Sequence, residues 1–388
     1  NYGRVTKGAA YALRGQVYMW QKNWEAAVDD FNSVADCGFG LYTKAGATSY
    51  KQLLKIANEQ CEEMIFSVQC IKQYGYSNTR NITYGNRCTA GSMWNNYLPN
   101  PHFVESFETA TGEKFNWDNY LPGYSAMKEK ERVVFFLRDG LSAAEKERMA
   151  AYGADMNKYL DSGNEARIKA VYEKRDPRLT QTIITPYATY NGSGNSVDHT
   201  FTSRWPYYGA DTDAPFDLRT DTQSHLYYLF RKFVAEGSSE MTNREKSPID
   251  LPIIRYATVV LGLAEALNEQ GKTAEAIEQV NLVRERAGVA LLNSNAATQV
   301  SGQDDMRTRI QNEYRWETAG EGVSFYEEMR WKTWKESKFN NADGTAGMKD
   351  IWGVITYNWT WGGDQYYVWP IPKHETDMNT SLTQNPGW

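Results

Sequence analysis

The residues that could carry out catalysis are few and widely separated along the chain. The histidines form no HExxH helix, which disfavours a zinc metalloprotease; they are His102, His199, His225 and His374. The sequence contains no GxSxG nucleophile turn, which disfavours the hydrolases that use one. A partial phosphate-loop string at 266–274 has Ala266 in place of the first glycine and joins two predicted helices. It therefore predicts a turn between helices and not a nucleotide site.

Paired carboxylates are the remaining catalytic possibility. Two acids at a suitable separation are enough for glycoside hydrolysis, and the chain has 48 Asp and Glu residues. Sequence does not give the distance between two carboxylates, so a glycosidase stays an alternative to the non-enzymatic protein that we predict. In one predicted helical hairpin we expect the acids to form ion pairs across helix turns. The acids are Glu313, Glu317, Glu327 and Glu328, and their expected partners are Arg307, Arg309, Arg315 and Arg330.

The sequence predicts no metal site and no cofactor. The cysteines include no CxxC pair and have no histidine close by, so we expect unpaired buried thiols and neither zinc ligands nor disulfides. They are Cys37, Cys61, Cys70 and Cys88. An acidic loop at 208–217 lacks the alternating ligands and the fixed glycine of an EF-hand, so calcium is not predicted. Its acids are Asp211, Asp213 and Asp217.

Aromatic residues are the unusual part of the composition, with 13 Trp, 26 Tyr and 14 Phe. Many lie in the irregular middle of the chain beside amides and charged groups. A flat ring can lie against the C–H face of a pyranose, while polar groups at its edge bond the hydroxyls. The sequence therefore predicts a surface that binds a glycan. The predicted ligand-binding residues are Tyr76, Asn78, Tyr84, Trp94, Asn95, Tyr97, Trp117, Trp205 and Tyr208.

Two other interpretations of these residues stay open. Each ring could pack its own loop onto the helices, in which case it would be a core residue. Loops rich in Ser, Asn and Tyr also suit adaptable peptide binding, so a peptide is the alternative ligand.

Charge and hydropathy argue against two kinds of partner. The net charge is −6, which disfavours nucleic acid, because affinity for it comes mainly from clustered Lys and Arg. The longest apolar run, at 251–267, is interrupted by Arg255 and Glu265 and is too short and polar to span a bilayer. The hydrophobic fraction of 41% and the charged fraction of 23% are typical of a folded protein.

The elements that must position the aromatic residues are helical hairpins. Small and large residues recur with offsets of 3, 9 and 4 in residues 8–38 and again in 255–288, which is the spacing of tetratricopeptide hairpins. The positions are Gly15, Tyr18, Ala27 and Phe31 in the first segment and Ala264, Leu267, Ala276 and Val280 in the second. We expect Asn23 to cap a helix, Gly38 and Gly288 to end helices, and Gly271 and Thr273 to form a turn and cap.

The predicted fold is mainly α, with a tetratricopeptide-like scaffold and a long irregular subdomain that contains short β-strands. A third helical pair is predicted at 306–319 and 323–334. The C-terminal stretch is expected to form a strap over the helices, with Trp369 and Trp388 as packing anchors. The predicted organisation is a hairpin at 1–40, the irregular ligand-binding subdomain at 41–247, further hairpins at 248–338 and the loop and strap at 339–388.

Several segments together resemble the SusD/RagB family of surface nutrient-binding lipoproteins of Bacteroidetes. They include EKRDPRL at 173–179, YLFRKF at 228–233 and the opening stretch 1–20. The longer segments 252–288, 312–334 and 368–388 are specific when they occur in this order.

The resemblance implies a non-catalytic protein at the outer face of the outer membrane. Members of the family are held there by an N-terminal lipid and deliver glycan to a SusC-like TonB-dependent transporter. The lipidated cysteine and the helices that usually precede this point of the family sequence have no counterpart in these residues. A peptide-binding, RagB-like role and a tetratricopeptide interaction scaffold are the alternatives.

Overall fold

The computed structural model describes residues 3–71, 75–89, 93–194, 197–208, 214–218, 225–240 and 245–388. It is mainly helical with short strands, which confirms the predicted fold class. The helices are α1 (Lys7–Trp20), α2 (Trp24–Ala35), α3 (Ser49–Leu53), α4 (Arg80–Tyr84), α5 (Pro101–Ser106), α6 (Ala143–Tyr152), α7 (Asn164–Glu173), α8 (Pro177–Thr182), α9 (Tyr256–Glu269), α10 (Thr273–Ala287), α11 (Gln303–Glu317), α12 (Ser324–Trp331), α13 (Trp334–Lys338) and α14 (Lys373–Met378). The strands are β1 (Met64–Val68), β2 (Ile183–Ile184), β3 (Thr189–Gly194), β4 (Val197–Thr202), β5 (Leu229–Phe230), β6 (Leu251–Arg255), β7 (Thr345–Lys349) and β8 (Ile355–Thr360).

The first two hairpins, α1–α2 and α9–α10, form where small and large residues are spaced for close packing. Thr6 and Asn23 cap α1 and α2, because each side chain accepts a hydrogen bond from the backbone N–H of the third helical residue. Gly288 ends α10 in the left-handed conformation, with a φ of 73°. The predicted packing positions of both hairpins are buried, except Tyr18, which is half-buried.

The two hairpins pack against each other through α2 and α9, although they are far apart in sequence. The Phe31 ring of α2 lies against Gly15 of α1 and Gly262 of α9. A Cβ added at Gly15 would lie 2.5 Å from the Phe31 ring, and one added at Gly262 would lie 3.0 Å from it. Glycine at both positions therefore lets one aromatic ring join the hairpins into a continuous stack.

The third hairpin differs in detail from its predicted bounds of 306–319 and 323–334. Helix α11 begins and ends slightly earlier, and α12 stops at Trp331 because Lys332 adopts a left-handed conformation with a φ of 60°. The turn of the second hairpin also differs from the prediction. Thr273 is the first residue of α10 and not its cap, and its hydroxyl donates to Oδ1 of Asn268 at 3.0 Å.

The irregular region between the first and second hairpins contains short antiparallel strand pairs, and one of them joins it to the scaffold. Strand β1 pairs with β6 immediately before α9, and β2 pairs with β5. Strands β3 and β4 form a hairpin within the region, and β7 and β8 form another after α13. Most of an aromatic core comes from the irregular region, including Phe107, Trp117, Tyr124 and Phe136, and Trp352 of the later chain segment packs into it.

A buried ion network joins the irregular region to the helical scaffold. Its basic members are Arg178, Lys232, Arg255, Arg284 and Arg286, and its acidic members are Glu63, Glu108, Asp176, Glu313, Glu317 and Glu321. The side chain of Arg255 is 1% exposed and lies 2.7 Å from Glu63, 2.7 Å from Glu317 and 2.8 Å from Glu321. These residues come from α8, β6, α10, α11 and the loops beside them, so the network connects elements that are distant in sequence.

Two of the four acids of the third hairpin form the ion pairs that we expected. Glu327 pairs with Arg330 and Glu328 pairs with Arg315. The prediction is wrong for the remaining members, which are Glu313, Glu317, Arg307 and Arg309. The two acids lie on the buried face of α11 and meet arginines from α8, β6 and α10, whereas the two arginines pair with acids at the start of α11 and the end of α9.

The network lowers the pKa of two of its buried carboxyl groups, Glu317 and Glu321. Burial alone would raise the pKa of Glu317, but the charges of Arg286, Arg255 and Arg178 outweigh it and hold the pKa well below its ordinary value. A carboxyl whose pKa is lower in the folded state stabilises the fold above its unfolded pKa and loses that contribution as the pH falls.

The C-terminal segment contacts the third hairpin through Tyr367. Its hydroxyl accepts a hydrogen bond from the backbone N–H of Lys335 at 3.0 Å and donates to the carbonyl of Lys332 at 3.1 Å. The expected anchors do not make this contact: Trp369 is 69% exposed, and the indole of Trp388 donates to a carbonyl within the tail itself. The strap and the domain boundaries at 40, 247 and 338 remain predictions.

The cysteines are free thiols, as expected, but they are not all buried. Cys70 and Cys88 are buried, Cys61 is half-buried and Cys37 is exposed. Burial raises the pKa of the Cys61 and Cys70 thiols, so both stay protonated at neutral pH.

We expect Arg255→Met to lower the free energy of unfolding by about 3–5 kcal/mol, because it removes one of the cations that three buried carboxylates share. The matched control is Arg307→Met, which removes a partly exposed arginine paired with Glu269 and should cost about 1 kcal/mol or less. Equilibrium denaturation in urea measures both values. Equal losses for the two variants would show that the buried ion network does not hold the irregular region on the scaffold.

Candidate functional site

Four of the predicted ligand-binding residues present their rings to solvent. Tyr76, Trp94, Tyr97 and Tyr208 are 72%, 57%, 60% and 64% exposed. Large aromatic side chains left in water are the residues expected of a stacking surface. Trp94 and Tyr97 are three residues apart on one segment, which makes that segment the centre of the candidate site.

The segment that carries Trp94 and Tyr97 is fixed along α4 by backbone hydrogen bonds. The N–H of Trp94 donates to the carbonyl of Ile82 at 2.9 Å, and the N–H of Tyr97 donates to that of Thr83 at 3.3 Å. Between them, the N–H of Asn95 donates to the carbonyl of Gly85 at 2.9 Å. The two exposed rings are therefore carried by a backbone that is held in place before any ligand arrives.

Tyr84 lies between the exposed ring of Tyr97 and the ring of Phe230. It is half-buried, its ring stacks on Phe230 with centroids 4.5 Å apart, and the edge of Tyr97 meets it at 5.8 Å. Its hydroxyl donates to the carbonyl of Gly320 at 3.1 Å, in the turn that follows α11. Burial raises the pKa of Tyr84, which keeps the hydroxyl protonated and able to donate.

Arg80 fastens α4 to the same turn. Its guanidinium donates to the carbonyl oxygens of Gly320 and Glu321 and lies over the rings of Tyr84 and Phe233, 5.7 Å and 4.5 Å from their centroids. Because the side chain of Glu321 belongs to the buried ion network, the network and the aromatic segment share one turn.

A cavity of about 200 Å³ is lined in part by the residues that follow Tyr97 in the chain. Its walls include Leu98, Asn100 and Phe230, and its polar side chains include the ion pair of Arg315 and Glu328, whose atoms are 3.0 Å apart. An aromatic plane beside a guanidinium, a carboxylate and an amide is the combination that suits a hydroxylated ring. The sequence missed this part of the site, because Arg315 and Glu328 lie more than 200 residues from Tyr97 and carry no local signal.

The two predicted hydrogen-bonding amides, Asn78 and Asn95, differ in what their side chains contact. The Asn78 side chain donates to the carbonyl of Ile249 at 2.7 Å and accepts from the N–H of Arg80 at 2.9 Å. Asn95 adopts a positive φ of 33°, and its Oδ1 is buried without a hydrogen-bond partner among the described residues. Asn78 is thus engaged in forming the loop, and the Oδ1 of Asn95 is enclosed by the protein.

Tyr208 lies on a second loop, which is tied to the loop before Trp94. The backbone N–H of Tyr208 donates to the carboxylate of Asp217, and the carbonyl of Asp217 contacts the Cys88 thiol at 3.8 Å. The guanidinium of Arg138 lies 4.7 Å from the ring centroid of Tyr208, so one face of that ring is occupied.

Trp117 and Trp205 do not present a ring to solvent. Trp117 is 7% exposed; its ring stacks on Tyr124 at 4.5 Å, and its indole donates to Glu105 at 2.7 Å. Trp205 is 6% exposed and lies beside Trp352, with ring centroids 6.1 Å apart. Core packing explains both residues, because their faces are covered by other side chains, so we leave them out of the stacking surface.

Trp205 instead borders a second cavity, of about 330 Å³. His225 lies on its wall and is bonded through Nδ1 to the buried carboxylate of Asp350 at 3.0 Å. Burial raises the pKa of Asp350 to about 6, against the opposing effect of His225.

The described part of the chain shows neither a metal-binding cluster nor a membrane-spanning helix. It contains no group of three or more His, Cys, Asp or Glu side chains placed to hold a metal ion. Asp211 and Asp213 of the acidic loop lie outside the described residues, and Asp217 forms an ion pair with Arg204. None of the described helices is long and apolar enough to cross a bilayer.

Comparison with known proteins identifies the family. The model of the SusD family matches residues 62–388 of the chain. The chain belongs to the SusD family. This confirms the resemblance that the ordered sequence segments suggested, and the match includes the aromatic segment, most of the irregular region and the second and third hairpins.

Solved structures share the fold of this SusD family member. A SusD-like protein from Bacteroides fragilis superposes with a TM-score of 0.68 at 24% identity, covering 100% of this chain and 66% of that one. A SusD-like carbohydrate-binding protein from the same species gives a TM-score of 0.67 at 21% identity, covering 98% and 66%. SusD-like protein P38 of Formosa agariphila is 36% identical over 81 residues, which are 20% of this chain and 16% of that protein.

We expect Trp117→Ala to lower the free energy of unfolding by about 3–5 kcal/mol, because it empties a packed site in the aromatic core. Trp94→Ala should change it by about 0.5 kcal/mol or less, since the ring is largely in solvent. Thermal and urea denaturation of the two variants measure the difference. A large loss for Trp94→Ala would place that ring in the core and remove it from the candidate site.

Proposed function

We propose that this SusD family member binds a glycan at the cell surface without converting it chemically. The observation that carries the proposal is the segment with Trp94 and Tyr97, whose rings are exposed while its backbone is bonded to α4. A prearranged aromatic surface lowers the entropy lost on binding, and ring faces suit the C–H faces of a pyranose. Tyr76 is a further stacking residue of the proposal, and the side-chain amide N–H of Asn95 is a hydrogen-bond donor in it.

The cavity beyond Tyr97 supports the choice of a hydroxylated ligand. Arg315 can donate to a ring hydroxyl, Glu328 can accept from one, and Phe230 provides an apolar wall. A few stacked rings and hydrogen bonds, set against the ordering of a flexible polymer, suggest about −4 to −8 kcal/mol, or roughly millimolar to micromolar affinity. Repeated units along a polysaccharide would raise the retention further.

Delivery to a transporter is the second part of the proposal. The resemblance to the SusD/RagB family implies a SusC-like TonB-dependent transporter as partner and an outer-membrane location through an N-terminal lipid. Membership of the SusD family supports this role, as does the structural likeness to a SusD-like carbohydrate-binding protein.

We expect Trp94→Ala and Tyr97→Ala each to weaken glycan binding at least about tenfold, because each removes one stacking plane. A glycan array identifies the ligand, and calorimetry on the best hit measures the affinity of each variant. Trp369→Ala is the matched control, because Trp369 is 69% exposed but lies in the C-terminal tail. It should bind as the parent protein does.

Three results would contradict the proposal. Binding to a peptide library with no hit on the glycan array would replace the sugar by a peptide. Release of reducing ends from the bound polymer would show an enzyme. Equal losses of affinity in the Trp94, Tyr97 and Trp369 variants would place the ligand elsewhere.

A further inference from the structure

Strand β8 is exposed along almost its whole length. Its burial pattern leaves a single residue half-buried and the rest exposed, and Tyr357 and Trp359 have 56% and 45% of their surface in solvent. Side chains two residues apart in a strand point to the same face of the sheet. The two rings accordingly lie side by side, with centroids 4.8 Å apart. One face of β8 therefore presents a pair of aromatic rings to solvent.

The outer edge of β8 has no partner strand in the part of the chain that the structure describes. Its sheet has two strands, and β8 pairs with β7 alone. Apart from that ladder, no described residue forms a backbone–backbone hydrogen bond with Ile355–Thr360. A row of unpaired N–H and C=O groups is a template for a further strand, and a two-stranded hairpin gains stability when strands are added to it.

The sequence of β8 lacks the features that usually protect an edge strand from pairing. Residues 351–363 contain no charged side chain and no proline. Most of β8 consists of β-branched and aromatic residues, which favour strands. The register shift of the ladder lies between Met348 and Lys349, so the pairing of Tyr357 to Thr360 with β7 is regular. This edge is therefore open to pairing with a strand of another molecule.

The order of residues in β8 is symmetric about Asn358. Tyr357 and Trp359 flank it, and Thr356 and Thr360 come next on either side. When two copies of a strand pair about a two-fold axis, residue i opposes residue j and j opposes i. An axis at Asn358 places Tyr357 of each copy opposite Trp359 of the other, and Thr356 opposite Thr360. Aromatic pairs and Thr–Thr pairs are both cross-strand contacts that stabilise a sheet.

We propose that β8 is the edge at which two copies of this chain associate as a symmetric dimer. Antiparallel pairing of the two edges joins the two hairpins into one four-stranded sheet with the order β7–β8–β8–β7. A strand of a different protein would satisfy the same backbone groups, but it would make no use of the symmetry about Asn358. That self-complementarity favours a second copy as the occupant.

The test is sedimentation velocity of the full chain at increasing concentration, which should show a reversible equilibrium between monomer and dimer. Hydrogen exchange at Ile355–Thr360 should slow as the dimer forms, because the edge N–H groups become bonded. Asn358→Lys should weaken the dimer at least about tenfold, since it places two like charges opposite each other at the axis. The matched control is Asn32→Lys, which adds the same charge at an exposed position of α2 and should leave the dimer unchanged.

An exchange of charge tests the register of the pairing. Asn358→Lys and Asn358→Asp should each dimerise weakly alone, whereas an equimolar mixture should dimerise again, because opposite charges then meet at the axis. Both variants should keep the melting temperature of the parent within a few degrees, since the Asn358 side chain is exposed.

Four results would overturn the inference. The first is a parent chain that stays monomeric at its highest soluble concentration, and the second is an Asn358→Lys variant that dimerises as the parent does. The third is a mixture of the two charged variants that associates no better than either one alone. The fourth is a monomeric parent that retains a glycan which Tyr357→Ala and Trp359→Ala lose, because β8 would then be a ligand surface.

Discussion

Burial of charge is the constraint on which the rest of this structure depends. A guanidinium or carboxylate removed from water is tolerated only when its partners surround it in good geometry. Arg255 meets this condition with three carboxylates at 2.7–2.8 Å, and Arg178 meets it with Asp176, Glu313 and Glu317. These contacts fix the positions of α8, β6, α10 and α11 relative to one another, because a shift of any one of them would leave a charge unpaired.

The buried ion network is connected to the candidate glycan surface through the turn at Gly320 and Glu321. The carboxylate of Glu321 forms ion pairs with Arg255 and Lys232, and its backbone carbonyl accepts a hydrogen bond from Arg80. The neighbouring carbonyl of Gly320 accepts a hydrogen bond from the hydroxyl of Tyr84. Helix α4 and the segment with Trp94 and Tyr97 are thereby attached to the scaffold. The loops of the candidate glycan surface are thus held by hydrogen bonds to the turn at Gly320 and Glu321. The side chain of Glu321 is itself fixed in the buried ion network.

The sequence was most informative where structure is local. Helix-length periodicity and cap residues such as Asn23 and Gly288 located the hairpins, because caps and apolar faces act over a few residues. It was least informative where contacts cross the chain. Glu317 was expected to pair within its hairpin and instead meets arginines from three other elements. Trp94 and Trp117 are the same residue type in the same irregular region, and only the packing around them makes one ring exposed and the other part of the core.

The contact of Phe31 with Gly262 has a consequence for biosynthesis. The first hairpin leaves the ribosome more than 200 residues before the helix that covers it, which at about 5–20 residues per second is a delay of roughly 10–50 s. During that interval the apolar side of α2 has no neighbour from the second hairpin. Loop closure over so long a stretch is also slow. The contact between α2 and α9 therefore forms only after the whole irregular region has been synthesised.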